Sequence, residues 1–173
     1  PVLAADFKSV RLSASFHLLK AEFSKEEIQA AVRDYNGNKA LGPDGFNLMF
    51  FQKYWEVLKD EVLKFMKEFY VSGRLVPGLN SSFITLIPKK EKVVSLNEYR
   101  PICLIGSAYK ILSKVLTARL KQVMPMVIGD SQSAFLGGRN ILDGVLIANE
   151  VADGWYKSKK SEVLFKLDSE KAF

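Results

Sequence analysis

From Ser24 onward the apolar positions recur at steps of three and four. Ile28, Ala31, Val32 and Tyr35 form one such run, ended by Asn36-Gly37-Asn38. Ser24 followed by Glu27 is a capping-box pattern, so the spacing predicts a helix opening there. The segment Lys39–Phe46 (KALGPDGF) breaks the period, because Gly-Pro and Asp-Gly set dihedrals that helices and strands avoid. Beyond it, Phe51, Tyr54/Trp55, Leu58, Val62, Phe65/Met66 and Phe69 predict a long amphipathic helix up to Gly73, or two with a break near Lys59-Asp60. The β-branched and aromatic run Ser82–Ile87 predicts a strand closed by Pro88. Pro101 pushes Arg100 out of the helical region, so Arg100–Ile105 is expected to be extended. A helix follows Gly106-Ser107 to about Met124, with Leu112, Leu116, Leu120 and Val123 as its buried stripe. Lys110, Lys114 and Lys121 fall on the opposite side, and Arg119 falls inside the apolar arc, where it must snorkel or find an anionic partner. The connector Ser131–Arg139 leads into a helix over 140–157, with Leu142, Val145, Leu146, Asn149 and Trp155 along one side. A last apolar strand, Val163–Asp168, ends on a carboxylate.

Composition narrows the class. With 48% hydrophobic and 25% charged residues, the chain is globular rather than disordered. A length of 173 suits one domain, or one domain with a helical extension. One Cys (Cys103) excludes an internal disulfide, and one His (His17) excludes the usual His/Cys zinc cages. No apolar run suits a membrane span, and no signal-peptide core opens the chain, so an intracellular, nuclear or cytoplasmic protein without membrane contact is expected. The first residue is Pro1 and the last Phe173, which suggests a piece of a longer reading frame. The net charge of +6 favours polyanionic partners.

The sharpest chemical candidate is Asp168. A carboxylate where a strand leaves its sheet is a common place for a metal-ligating or catalytic acid, and equally a common cap of the next turn. A basic loop, Lys89-Lys90-Glu91-Lys92, precedes the extended Arg100 segment.

In order, KALGPDGF, LIPK, YRPICLI, YKILSKVLTARL, DSQSAFLGGRNILD and FKLDSEKAF resemble the reverse transcriptase of non-LTR (LINE-type) retrotransposons, most nearly those of plant genomes. The likeness runs from about Phe23 to the end of the chain. It implies an α+β fold: a helical N-terminal extension over 1–75, the fingers of a right-hand polymerase over 76–162, and the first palm strand over 163–173. It also implies an RNA-directed DNA polymerase that uses Mg²⁺, an RNA template, a DNA primer and dNTPs. Asp168 then matches the first metal-binding catalytic carboxylate, and Phe173 the aromatic gate under the sugar. Arg100 matches the arginine that grips the triphosphate, suited by its fixed fork of donors. Lys89 and Lys90 are placed to neutralise the triphosphate or the template backbone. Gln132 and Arg139 match the segment that guides the template.

Each assignment has a plainer rival. Arg100 could pair with Glu98 or Asp130, the lysine row could be a solvated helix face, and Gln132 and Arg139 could simply stabilise their loop. Arg119 reads as structural. The paired-carboxylate hairpin that completes such a palm has no counterpart here, since the chain holds no Asp-Asp pair. The chain alone is therefore expected not to polymerise and to be of low stability. A non-catalytic nucleic-acid-binding remnant is the rival reading.

Overall fold

The computed structural model describes residues 15–159 together with 162, 163 and 165. Of the expected last strand only Val163 and Phe165 are among these; Asp168 and Phe173 lie outside the described residues. The chain divides into two compact units, Pro1–Val123 and Met124–Phe173. Helices and one small sheet make it an α+β chain.

In the first unit, α1 (Ser15–Lys20) is followed by α2 (Lys25–Arg33). The capping box forms as the sequence predicts: Glu27 N donates to Ser24 Oγ and Ser24 N donates to the Glu27 carboxylate. Asn47 caps α3 (Leu48–Lys53) by accepting from Phe50 N. Next comes α4 (Trp55–Ser72). The break in the long helical run falls at Tyr54, not near Lys59-Asp60. Tyr54, with φ −106° and ψ 25°, leaves helical geometry and serves as the cap of both helices. Its ring continues a ladder of Phe46 and Phe50, with centroids 4.7 and 5.1 Å apart, outside the core stripe.

Strand β1 (Ser82–Pro88) pairs antiparallel with β2 (Tyr99–Ile105), and a short 3₁₀ turn at Leu96–Glu98 lies between them. The long α5 (Ser107–Val127) extends one turn beyond the expected Met124, carrying Pro125 in its last turn. One core unites these helices: Ile28, Ala31 and Val32 of α2, Leu48 of α3, Trp55, Val62 and Met66 of α4, and Ile111, Leu112 and Val115 of α5. Burying each of the larger aliphatic side chains is worth about 1.5–3 kcal/mol, which makes this layer the platform for everything attached to it.

The buried row of α5 is Ile111, Val115, Arg119 and Val123, with Leu112 beside it. Leu120, expected inside, is 48% exposed. Arg119 occupies the inward position instead because Glu27 and two backbone carbonyls satisfy its guanidinium.

In the second unit, Asn140 caps α6 (Ile141–Ser158) by accepting from Leu142 N at 3.0 Å. The expected inward side of α6 is not buried: Leu142, Val145 and Leu146 are all more than half exposed. Among the described residues of this unit there is no apolar layer to cover it.

Candidate functional site

The site begins with the two-stranded ribbon. Pro88 closes β1 because it has no N–H to extend the ladder, and Pro101 is tolerated in β2 because each strand of a two-stranded sheet has a free edge. The register sets Ile87 opposite Arg100 and Pro88 opposite Tyr99, so Arg100 sits at the same end of the ribbon as Lys89 and Lys90.

The loop joining the strands is tied by its own polar groups. Lys89 N donates to Glu98 O at 2.8 Å, and Lys89 Nζ donates to Asn97 O at 2.7 Å. Ser95 and Glu98 form a second capping box around the 3₁₀ turn. Glu98 Oε2 accepts from Val94 N at 2.7 Å, while Oε1 pairs with the Lys90 ammonium. The Lys90 hydrogen bond, then the Val94 amide, hold the Glu98 carboxyl below its ordinary pKa. Glu98 is thus the organiser of the loop, a role its Ser95-x-x-Glu98 spacing signalled in the sequence.

Arg100 is exposed and enters none of the described ion pairs. Its two suggested partners are otherwise engaged, Glu98 with Lys90 and Asp130 with Arg139. The ribbon end therefore presents one unpaired guanidinium beside two anchored ammonium groups. Such a set can bind an oxyanion, with Arg100 supplying the directional donors.

Two lysines of the row on α5 are engaged, while Lys121 is exposed. Lys114 pairs with Asp34 at 2.6 Å and lies over the Tyr35 ring, and Lys110 donates to Ala40 O at 3.1 Å. The Lys114 hydrogen bond, chiefly, holds the Asp34 carboxyl below its usual range.

The second unit holds Gln132 and Arg139, both turned to their own loop. Arg139 donates to Gly129 O at 2.5 Å, Gln132 O at 2.7 Å and Ile128 O at 3.1 Å, and pairs with Asp130. Gln132 Nε2 donates to Ala134 O at 3.1 Å. Gly144 lets this loop approach α6, since a Cβ there would lie 2.5 Å from Ser133 Oγ. Phe135 stands out from the same loop, 97% exposed and in the left-handed region with φ 66°.

Among the described residues no three His, Cys, Asp or Glu side chains converge as metal ligands. No helix among them is long and apolar enough to cross a membrane.

A family model described as reverse transcriptase (RNA-dependent DNA polymerase) matches residues 87–173, from the end of β1 onward. The chain belongs to the reverse transcriptase family. It is 31% identical over 155 residues to the Transposon TX1 uncharacterized 149 kDa protein of Xenopus laevis, covering 90% of this chain and 12% of that protein. It is 25% identical over 136 residues to the Retrovirus-related Pol polyprotein from type-1 retrotransposable element R1 of Bradysia coprophila, covering 77% of this chain and 14% of the relative. The chain thus spans a small part of the length of either relative. These matches agree with the likeness to reverse transcriptases of non-LTR elements, while the two organisms lend no support to the narrower likeness to plant genomes. In this reverse transcriptase chain, the basic end of the ribbon and the Arg139 loop both fall inside the matched region, whereas the helices up to α4 precede it.

Proposed function

We propose that this chain contributes the fingers and the entrance of the palm to a right-hand RNA-directed DNA polymerase of a non-LTR retrotransposon. In this reading residues 1–75 are a helical extension, 76–162 the fingers region, and 163–173 the first palm strand. Arg100 and Lys89 receive the triphosphate of the incoming dNTP. Lys90 is assigned to the template backbone, and Gln132 to the template segment, whose loop its bond to Ala134 O helps hold. Arg139 serves the template segment by holding its loop, since its donors are taken by three carbonyls and Asp130. Asp168 is assigned as a ligand of Mg²⁺ and Phe173 as the gate against ribonucleotides. The partners are then an RNA template and a DNA primer.

The observation that carries the reading is the exposed Arg100, in no ion pair among the described residues, at the basic end of a ribbon whose Glu98 carboxylate is already committed to Lys90. A cation left free where its neighbours are paired is poised for an anionic ligand.

The test uses a longer reverse transcriptase that contains this segment, assayed for DNA synthesis on an RNA template. Arg100→Ala should raise the dNTP KM with primer–template binding retained, and Asp168→Ala should abolish synthesis. Phe173→Ala should admit ribonucleotides. Wild-type synthesis by the Asp168→Ala protein would overturn the catalytic assignment, and an unchanged dNTP KM in Arg100→Ala the nucleotide assignment.

A further inference from the structure

The KALGPDGF segment forms no regular element, yet it runs as a splint along the point where β2 becomes α5. Ala40 O accepts from Lys110 Nζ at 3.1 Å. Gly42 is buried against Ile105, so closely that a Cβ there would sit 2.3 Å from the Ile105 carbonyl. Asp44 Oδ2 accepts from Ser107 N, the first amide of α5, and Ser107 Oγ donates to Phe46 O at 2.8 Å. Ser107 is completely buried. Asp44 is thus the cap of a 21-residue helix supplied from 63 residues earlier in the chain. Its charge also faces the positive end of the helix dipole.

This cap has a mechanical consequence. The ribbon is exposed on both faces: Phe83, Ile84, Leu86 and Ile102 are all at least 40% exposed, so face packing does little to fix its direction. What anchors it is its base, where β2 passes through Gly106 into α5. The splint grips that base on one side and continues on the other into Asn47 and Leu48, whose helix α3 is part of the core.

We infer that Asp44 is a positioning residue: by capping α5 at Ser107 it sets the direction of the β1–β2 ribbon, and so the placement of Arg100, relative to the helical layer. The functional half of this inference rests on the proposed nucleotide role of Arg100; the mechanical half does not.

Two measurements separate them. In the full 173-residue chain, with Cys103→Ser as background, nitroxide labels at Lys92→Cys on the ribbon loop and Val57→Cys on α4 report the ribbon direction as a distance distribution. Both positions are exposed. A single narrow maximum is expected for the Asp44 protein and for Asp44→Asn, whose amide oxygen still accepts from Ser107. Asp44→Ala should lose the single maximum. If Asp44→Ala does not fold, Asp44→Ser carries the same test, because serine suits the turn but is too short to reach Ser107. A narrow, unshifted distribution in the folded Ala or Ser variant overturns the inference, for a purely local cap would lower the melting temperature and leave the distance alone. In a longer active enzyme, Asp44→Ala should raise the dNTP KM roughly tenfold, the order expected for a small misplacement of a binding group, with Asp44→Asn restoring it. If Arg100→Ala leaves KM unchanged while Asp44→Ala broadens the distribution, the nucleotide reading falls and the positioning role stands. If Arg100→Ala raises KM and Asp44→Ala does not, the positioning of Arg100 is refuted.

Discussion

Arg119 and Glu27 form a two-point ion pair, Nε donating to Oε1 at 2.8 Å and Nη2 to Oε2 at 2.7 Å. The guanidinium also donates to Ala21 O and Glu22 O and lies 4.5 Å from the centre of the Phe23 ring. With 2% of its side chain exposed, Arg119 is a buried charge fully spent on Glu27 of α2 and on the segment that leads into that helix. The pair is structural, and it lets Arg119 share the inward face of α5 with Ile111 and Val115.

Glu27→Gln leaves that buried charge without its counter-ion. The loss should be about 2–3 kcal/mol, below the range for a fully buried pair because Glu27 is partly exposed. Urea unfolding measures it. A double variant, Glu27→Leu with Arg119→Met, should recover part of the loss, since apolar replacement removes the desolvation cost of both ions. Equal stability of Glu27→Gln and the parent chain would show that the pair carries no weight.

The same pair predicts an acid response. The Arg119 hydrogen bond, the largest influence, keeps the Glu27 carboxyl below its ordinary 4.5 despite the opposing effect of burial. In acid the unfolded chain takes up this proton first, so stability rises with pH across the interval. The contribution is complete above 4.5 and is lost as pH falls through the lowered folded-state value. Melting temperatures followed from neutrality to about pH 3 should fall less steeply for Glu27→Gln than for the parent. Parallel curves would dissociate Glu27 from the acid transition.

At the ribbon end, binding of an RNA–DNA hybrid should weaken with salt. Arg100→Ala, which removes a triphosphate contact, should leave the log–log slope unchanged, whereas Lys90→Ala should lower it by about 0.9 for its contact with a duplex phosphate. Glu98→Gln should move the other way, because it releases Lys90 from its partner. Arg139→Ala should leave the slope alone and lower stability, its donors being bound within the loop. Fluorescence anisotropy across a salt series reads all four variants.

Phe135 combines a left-handed backbone with an almost fully exposed ring. Its fold therefore bears the strain of φ 66° without gaining from burial. Phe135→Gly should raise stability by up to about 1 kcal/mol, the relief of a left-handed non-glycine residue less the added freedom of the unfolded chain. A lower melting temperature in the glycine variant would mean that the ring makes a stabilising contact.

Much of this architecture was legible because it is local. The Ser24/Glu27 box, the helical period of α2, the strand Ser82–Pro88 and the extended Tyr99–Ile105 all rest on neighbours a few residues apart. The ribbon end is legible for the same reason, as the turn between the strands brings Lys89, Lys90 and Arg100 together by short-range pairing. The break at Tyr54 is not legible from the period, because Tyr54 fits the apolar spacing yet packs against Phe50 outside the core. Leu120 was misassigned to the interior because periodicity weighs hydrophobicity, whereas Arg119 wins its buried place through four oxygen acceptors on other parts of the chain.

By itself, the order of residues determined most of the elements, the Ser24/Glu27 cap, the two extended segments with their basic loop, and the ordered blocks that mark a reverse transcriptase. Those features depend on spacing of a few residues or on the collinearity of short blocks. Only the tertiary structure decided which polar groups are used up and which stay free. Glu98 takes Lys90, Asp34 takes Lys114, Arg139 turns to its own carbonyls, and Asp44 reaches across 63 residues to cap α5. A hydrogen bond or ion pair depends on distance in space, and for partners far apart in the chain that distance is set by the packing of the helical layer.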